Sequence, residues 1–262
     1  MKKIIFAPIK VIFYLFTIAI MYIGWIFVSK KGKEPDTSWE VGRKRIYDLG
    51  IEYWESELEK LNLREEGIDV LEVGSGNGQW LISFSKFANR VEGVEPGKEI
   101  IEYSKEKFKE YGVEDRIKVH QSFAEKLPQE DNAFDLVFCA GVFMFTEQKK
   151  ALREFNRVLK NNGKVFVTVN GLGYFIMYLL NGMRYLSLNK TRYGLSGIFN
   201  TIFKWIFKKQ IGTCAVSYNE IKKMIEKEGF ELIDTRIWLA QELYPLEHFG
   251  FVTNYAFILK KI

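Results

Sequence analysis

The residues best placed to do chemistry lie in Asp69-Val70-Leu71-Glu72-Val73-Gly74-Ser75-Gly76-Asn77-Gly78, where an apolar run feeds three glycines at alternate positions. Each glycine removes a Cβ. The chain can therefore turn sharply from strand to helix, and a ligand can approach backbone N–H groups at the helix N-terminus. A second acid, Glu95, closes the next apolar run in Val91-Glu92-Gly93-Val94-Glu95-Pro96-Gly97, where a carboxylate can accept both hydroxyls of a ribose. Together the two acids define a nucleoside site at the switch point of a sheet. Glu125 and Asp135 read as structural, one a helix-terminal charge and the other a strand-entry residue.

The elements that must hold these residues follow from the alternation of short apolar runs with amphipathic stretches. Strands are expected at 69–73, 90–94, 116–120, 134–139, 164–169, 231–237 and 253–259, and helices at 78–87, 98–111, 147–159 and 218–228. Such alternation implies right-handed crossovers and a parallel, doubly wound sheet. Ahead of it, residues 34–62 read as a polar linker and a helix, with Ile46, Leu49, Tyr53, Trp54, Leu58 and Leu61 at helical spacing.

The set Glu72-x-Gly74-x-Gly76-x-Gly78, then Glu95, Phe123-Ala124-Glu125-Lys126-Leu127-Pro128 and Phe134-Asp135-Leu136-Val137 resembles the class I S-adenosylmethionine-dependent methyltransferases, of the type 11 kind. The resemblance covers residues 66–170 in the expected order. It implies an α/β fold, a doubly wound, mostly parallel seven-stranded Rossmann-like sheet whose last strand is antiparallel. It also implies that S-adenosyl-L-methionine is bound by Glu72, Gly74, Ser75, Gly76, Gly78, Glu95, Pro96, Phe123, Ala124 and Ala140. In that scheme Gly74 and Gly76 underlie the methionine moiety, Glu95 takes the ribose, and Phe123 and Ala124 border the adenine. The family commonly carries an acid where Phe123 stands, so a stacking or apolar contact is expected in place of the usual one to the adenine amino group.

The competing reading, a nicotinamide-dependent oxidoreductase, also ends its second strand with an acid, but its fingerprint is G-x-G-x-x-G. Here the third glycine comes one residue early and Glu72 precedes the turn. His120 reads as a loop or packing residue. His248, in Tyr244-Pro245-Leu246-Glu247-His248-Phe249 before the last strand, is the candidate general base for an oxygen nucleophile, against the plainer reading of a surface histidine. No Asn-Pro-Pro-Tyr type sequence follows FDLVFCAGVFMF, so methylation of nucleic-acid bases is disfavoured, and no nucleic acid is expected as a partner.

Charge is distributed unevenly over the 262 residues, whose net is +5. Residues 1–33 hold six lysines and no acid, and residues 171–219 hold six basic residues and no acid. Two basic, aromatic-rich segments thus flank an acidic domain, a pattern that suits an anionic membrane surface. From Val11 to Val28 the chain carries no formal charge, long enough as a helix for roughly 27 Å, just short of a bilayer core. Its expected role is a membrane anchor, spanning or interfacial, with no small-x-small cleavage site after it. The expected organisation is an anchor at 1–33 and a methyltransferase domain at 34–262 with a helical lid at 171–217. In that lid Leu195, Ile198, Phe199, Ile202 and Ile206 share a helical face that either docks on the domain or lies at a membrane.

Cys139 and Cys214 give no disulfide framework, and no metal site is indicated. These features add up to a membrane-associated methyltransferase with its catalytic domain in the cytoplasm. Its acceptor would be apolar or membrane-linked: a polyprenyl-linked sugar, a quinone precursor or a lipid head group. The alternative is a membrane-tethered scaffold that binds the cofactor without transferring its methyl group.

Overall fold

The structure is a computed structural model that describes residues 2–27, 44, 46–209, 212–237, 247–248, 251–252 and 254–262, with the side chains of helix 2–27 described only at 12 and 15–26. Two compact units emerge. The larger comprises residues 37–169, 218–240 and 256–262, and the smaller residues 1–36, 170–217 and 241–255.

The larger unit is a seven-stranded sheet in the order β3-β2-β1-β4-β5-β9-β6. Its strands are β1 (Asp69–Val73), β2 (Arg90–Val94), β3 (Ile117–His120), β4 (Phe134–Cys139), β5 (Leu159–Asn170), β6 (Phe230–Ile237) and β9 (Asn254–Lys261). The first strands pair in parallel, with Val73 beside Val94 and Val94 beside His120, while the last strand is antiparallel. That register lines up the carboxyl ends of β1, β2 and β3. Between β1 and β4 the strand order reverses, which opens the crevice where sheets of this kind bind ligands.

Helices cover both faces: α2 (Ile51–Lys60), α3 (Gln79–Phe84), α4 (Lys98–Glu110), α5 (Gln148–Val158) and α8 (Tyr218–Lys227). α2 buries Trp54 and Leu58, and the Trp54 indole packs edge-on against Trp80 at 4.9 Å. Trp80 meets Phe138, which stacks on Phe166 at 4.7 Å, so one aromatic chain crosses from helix to sheet. Each such fully buried ring contributes on the order of 1.5–3 kcal/mol. At the opposite edge from the crevice, Lys160 Nζ bridges Asp69 and Asp135 at 2.7 and 2.8 Å, and the Asp69 N–H donates to Asp135. These bonds join the entries of three strands.

The smaller unit holds α1 (Lys2–Phe27), α6 (Leu172–Tyr185), α7 (Leu188–Phe207) and a short hairpin of β7 (Glu247–His248) with β8 (Phe251–Val252). α6 and α7 form an antiparallel pair that turns at Leu186, whose φ is +52°, and at Ser187. Glycines bring them close. A Cβ at Gly194 would stand 2.5 Å from the Leu179 nitrogen, and one at Gly182 would collide with the backbone of Thr191. The buried residues of α7 are Thr191, Gly194 and Gly197, whereas Phe199, Ile202 and Ile206 are exposed. The apolar stripe, expected either to dock on the domain or to lie at a membrane, is thus partly turned to solvent, because the side with no bulk makes the backbone-to-backbone contact. Among the described residues no helix is long and apolar enough to cross a membrane. The spanning reading of 11–28 therefore gains nothing here, although the side chains of Val11, Phe13 and Tyr14 and all of Val28 lie outside the described residues.

Candidate functional site

The crevice is built from the turn that leaves β1. Gly74, Gly76 and Gly78 have φ of +76°, +51° and +88°, values that residues with a Cβ adopt only at a cost. Gly74 and Ser75 donate their N–H groups to the Val94 carbonyl at 2.7 and 3.1 Å, which ties the turn to β2. Gly78 caps α3, and a Cβ there would stand 2.5 Å from the Phe108 ring. A Cβ at Gly74 would run into Val142, so this turn and the chain after β4 touch. Gly76 is different: its Cβ would meet nothing nearer than a carbonyl at 3.9 Å. Space, not packing, surrounds it.

Glu95 is only 7 % exposed and is already oriented. Its Oε2 accepts the Gly76 N–H at 3.2 Å and its Oε1 the Gly97 N–H at 3.0 Å, leaving a lone pair on each oxygen for a further donor. Glu72 is 2 % exposed, and its Oε2 has no partner within the protein. Burial first, and then the charge of Glu95, push the Glu72 carboxyl well above the usual carboxylate range; the Leu81 N–H offsets only part of this. Ser75 Oγ and Asn77 Oδ1 are likewise buried and unsatisfied. Four features on one turn thus ask for a ligand: open space at Gly76 and three orphaned polar atoms, in a molecule where buried polar groups are normally paired.

The other sequence-predicted residues arrive from neighbouring loops. Gln121 Nε2 donates to the Pro96 carbonyl at 3.1 Å, bringing the segment after β3 beside the 95–97 turn. There Phe123 is 65 % exposed while Ala124 is buried. Arg157 secures this loop by donating to the carbonyls of Leu127 and Gln129 at 2.9 and 2.7 Å. Ala140 follows β4 beside Gly141, whose N–H donates to Thr168 at 2.7 Å and whose φ is +75°. His248 belongs to the smaller unit, where its backbone pairs with Phe251 in the β7–β8 hairpin, and its side chain lies outside the described residues. His120 sits 2.8 Å from Glu92, which also accepts from Arg90 and Gln129.

Sequence reasoning missed Tyr47. Its hydroxyl donates to the Asn77 carbonyl at 2.5 Å, clamping the glycine turn from a helix some thirty residues upstream. Burial, and after it the Tyr103 and Tyr111 phenols, push that hydroxyl up, so it keeps its proton. Tyr47 stands in the 34–62 segment but outside the apolar positions read from its spacing, so no local signal marked it.

The arrangement suits a ligand that offers hydroxyl donors to Glu95 and a cationic or donor group near Glu72, as an amino-acid-bearing nucleoside does. Comparison with known proteins agrees. Residues 71–167 match the family model described as "Methyltransferase domain". The chain is 36 % identical over 96 residues to the uncharacterized methyltransferase YcgJ of Bacillus subtilis, covering 36 % of this chain and 38 % of that protein. It is 33 % identical over 105 residues to the ubiquinone/menaquinone biosynthesis C-methyltransferase UbiE of Citrobacter koseri, covering 38 % of this chain and 42 % of the relative. The chain therefore spans less than half the length of either curated relative. Among solved structures, the magnesium protoporphyrin IX methyltransferase of Synechocystis, determined with bound SAH, is similar in fold with a TM-score of 0.54 at 11 % identity, covering 88 % of this chain and 90 % of that one. Residues 71–167 are thus a methyltransferase domain, carried on the fold of the class I S-adenosylmethionine-dependent methyltransferases.

Proposed function

We propose that this chain transfers a methyl group from S-adenosylmethionine to an apolar or membrane-linked small molecule. The observation that carries the reading is the glycine turn, where the space at Gly76 is bordered by a pre-oriented Glu95 and by the orphaned atoms of Glu72, Ser75 and Asn77. When bound, the cofactor supplies an electrophilic methyl on a sulfonium. The residues of the chain bind, orient and exclude water. Glu95 would hold the ribose through its two free lone pairs, Gly74 and Gly76 would underlie the methionine part, and Phe123 would lie against the adenine. The buried Glu72, whose carboxyl is held above the usual carboxylate range by burial, would face a cationic group of the cofactor. Charge disperses in such a displacement, so positioning and water exclusion supply much of the rate. For an oxygen acceptor, His248 is the proposed base.

An apolar acceptor is supported by the quinone chemistry in the name of the UbiE relative and by the character of the smaller unit. Phe199, Ile202, Trp205, Ile206 and Phe207 of α7 are each more than half exposed, as are Ile12, Leu15, Phe16, Ile23 and Ile26 of α1. Residues 171–217 carry no acid. Such a surface suits an interfacial site on anionic lipid, with 171–217 as the acceptor lid and the active site in the cytoplasm. A polyprenyl-linked sugar, a quinone precursor and a lipid head group all qualify.

Purified protein incubated with S-adenosylmethionine should release S-adenosylhomocysteine faster when membrane extract is added. If extract changes nothing while the cofactor still binds, transfer is refuted and a cofactor-binding scaffold remains. Mass spectrometry of envelope lipids from a deletion strain should then find a species lighter by one methylene unit, which identifies the acceptor.

A further inference from the structure

α7 begins beside a cavity of about 400 Å³ lined by Tyr178, Asn189, Lys190, Arg192, Tyr193 and Ser196. All six belong to the smaller unit, and none serves the nucleoside site. From this lining we infer that the cavity is a second binding site, specific for a phosphate group. Two cationic side chains two residues apart supply the charge, with Arg192 presenting the planar fork that pairs with phosphate oxygens. Asn189, Ser196 and the two phenols supply neutral donors.

The walls are held still by aromatic packing. Tyr193 lies 5.0 Å from Tyr178, and Tyr178 lies 4.9 Å from Tyr174, ring centre to ring centre. Burial first, then the Tyr178 phenol, push the Tyr193 hydroxyl up, so it keeps a proton to donate. Residues 171–217 carry no acid. The exposed Phe199, Ile202 and Ile206 lie further along the same helix, so a phosphate here would be joined to an apolar chain if the ligand is a lipid. That last step rests on the membrane reading above; the phosphate site itself does not.

The test uses full-length protein and two probes, inorganic pyrophosphate and vesicles of phosphatidylcholine with or without phosphatidic acid. Wild-type protein should bind pyrophosphate, or prefer the phosphatidic acid vesicles, and K190Q/R192Q should weaken that binding by about tenfold or more, the scale of a lost bidentate charged contact. S-adenosylhomocysteine affinity, measured alongside, should stay within about twofold. R192Q alone, at an exposed position, should lose a smaller part, and R192K should recover some of it. Binding of pyrophosphate without vesicle preference assigns the site to free phosphates; vesicle preference alone assigns it to a lipid head group. Failure of wild-type protein to bind either probe, or equal binding by R192Q, K190Q/R192Q and wild type, overturns the site. Because S-adenosylhomocysteine affinity is read separately, that failure would leave the methyltransferase reading standing.

Discussion

At the turn after β1, Gly74, Gly76 and Gly78 all take positive φ, whereas Gly182, Gly194 and Gly197 of the α6–α7 pair sit in ordinary helical backbone. The first set is glycine for its conformation, the second because a neighbouring segment occupies the place of a Cβ. The polar surroundings differ in the same sense. The turn is bordered by buried acids, and the helix pair by cations and exposed aromatic rings. One glycine set leaves room for a ligand and the other lets two helices meet, so substitutions of these glycines should separate cofactor binding from stability.

The largest effect expected is on the proposed membrane attachment. Changing Lys204, Lys208 and Lys209 to Glu should weaken binding to anionic vesicles by about 3 kcal/mol or more, at roughly 1 kcal/mol per cation removed. Cofactor affinity should not follow; co-sedimentation with equal binding of both proteins would remove the membrane role from α7. Next, Glu95→Ala should cost about 1.5–3 kcal/mol of cofactor affinity by calorimetry, the scale of lost hydrogen bonds to a charged group. An unchanged affinity would displace the nucleoside from this crevice.

Gly194→Val should lower unfolding stability by about 1–3 kcal/mol, because the helices must part to admit the side chain. Gly76→Ala should cost only about 1–2 kcal/mol through its backbone conformation, but it should weaken the cofactor as well. Should Gly194→Val weaken the cofactor and leave stability intact, the contrast between the two glycine sets fails. The gentlest effect is a slope. The Glu72 carboxyl is raised in the folded protein, so the folded state holds a proton that the unfolded state gives up, and stability falls as pH rises through the raised value. Glu72→Gln should therefore flatten thermal stability against pH and raise it at neutral pH while lowering cofactor affinity. A Gln variant with the parental slope would show that Glu72 is ionised already.

Much of the sheet was legible because its strands are apolar runs bounded by glycine or charge: 69–73, 90–94 and 134–139 stand where the pattern puts them. β5 begins earlier than expected, at Leu159 rather than 164, because Leu159 pairs with Phe134 across an irregularity that no local pattern announces. α6 was anticipated only as part of the helical insertion at 171–217, without bounds of its own. On α7 the stripe was visible, but the glycine side that meets α6 was not, because residues without bulk leave no apolar signal to read. Glu72 and Glu95 could be found from their places at strand ends, whereas the Tyr47 clamp depends on a fold that returns it to residue 77.

The close meeting of α6 and α7 also bears on how such a protein can change over time. Because Gly182, Thr191, Gly194 and Gly197 make the contact, the outward residues Phe199, Ile202, Trp205 and Ile206 carry little of the packing burden. Drift can then rewrite that outer surface residue by residue while the helix pair stays intact.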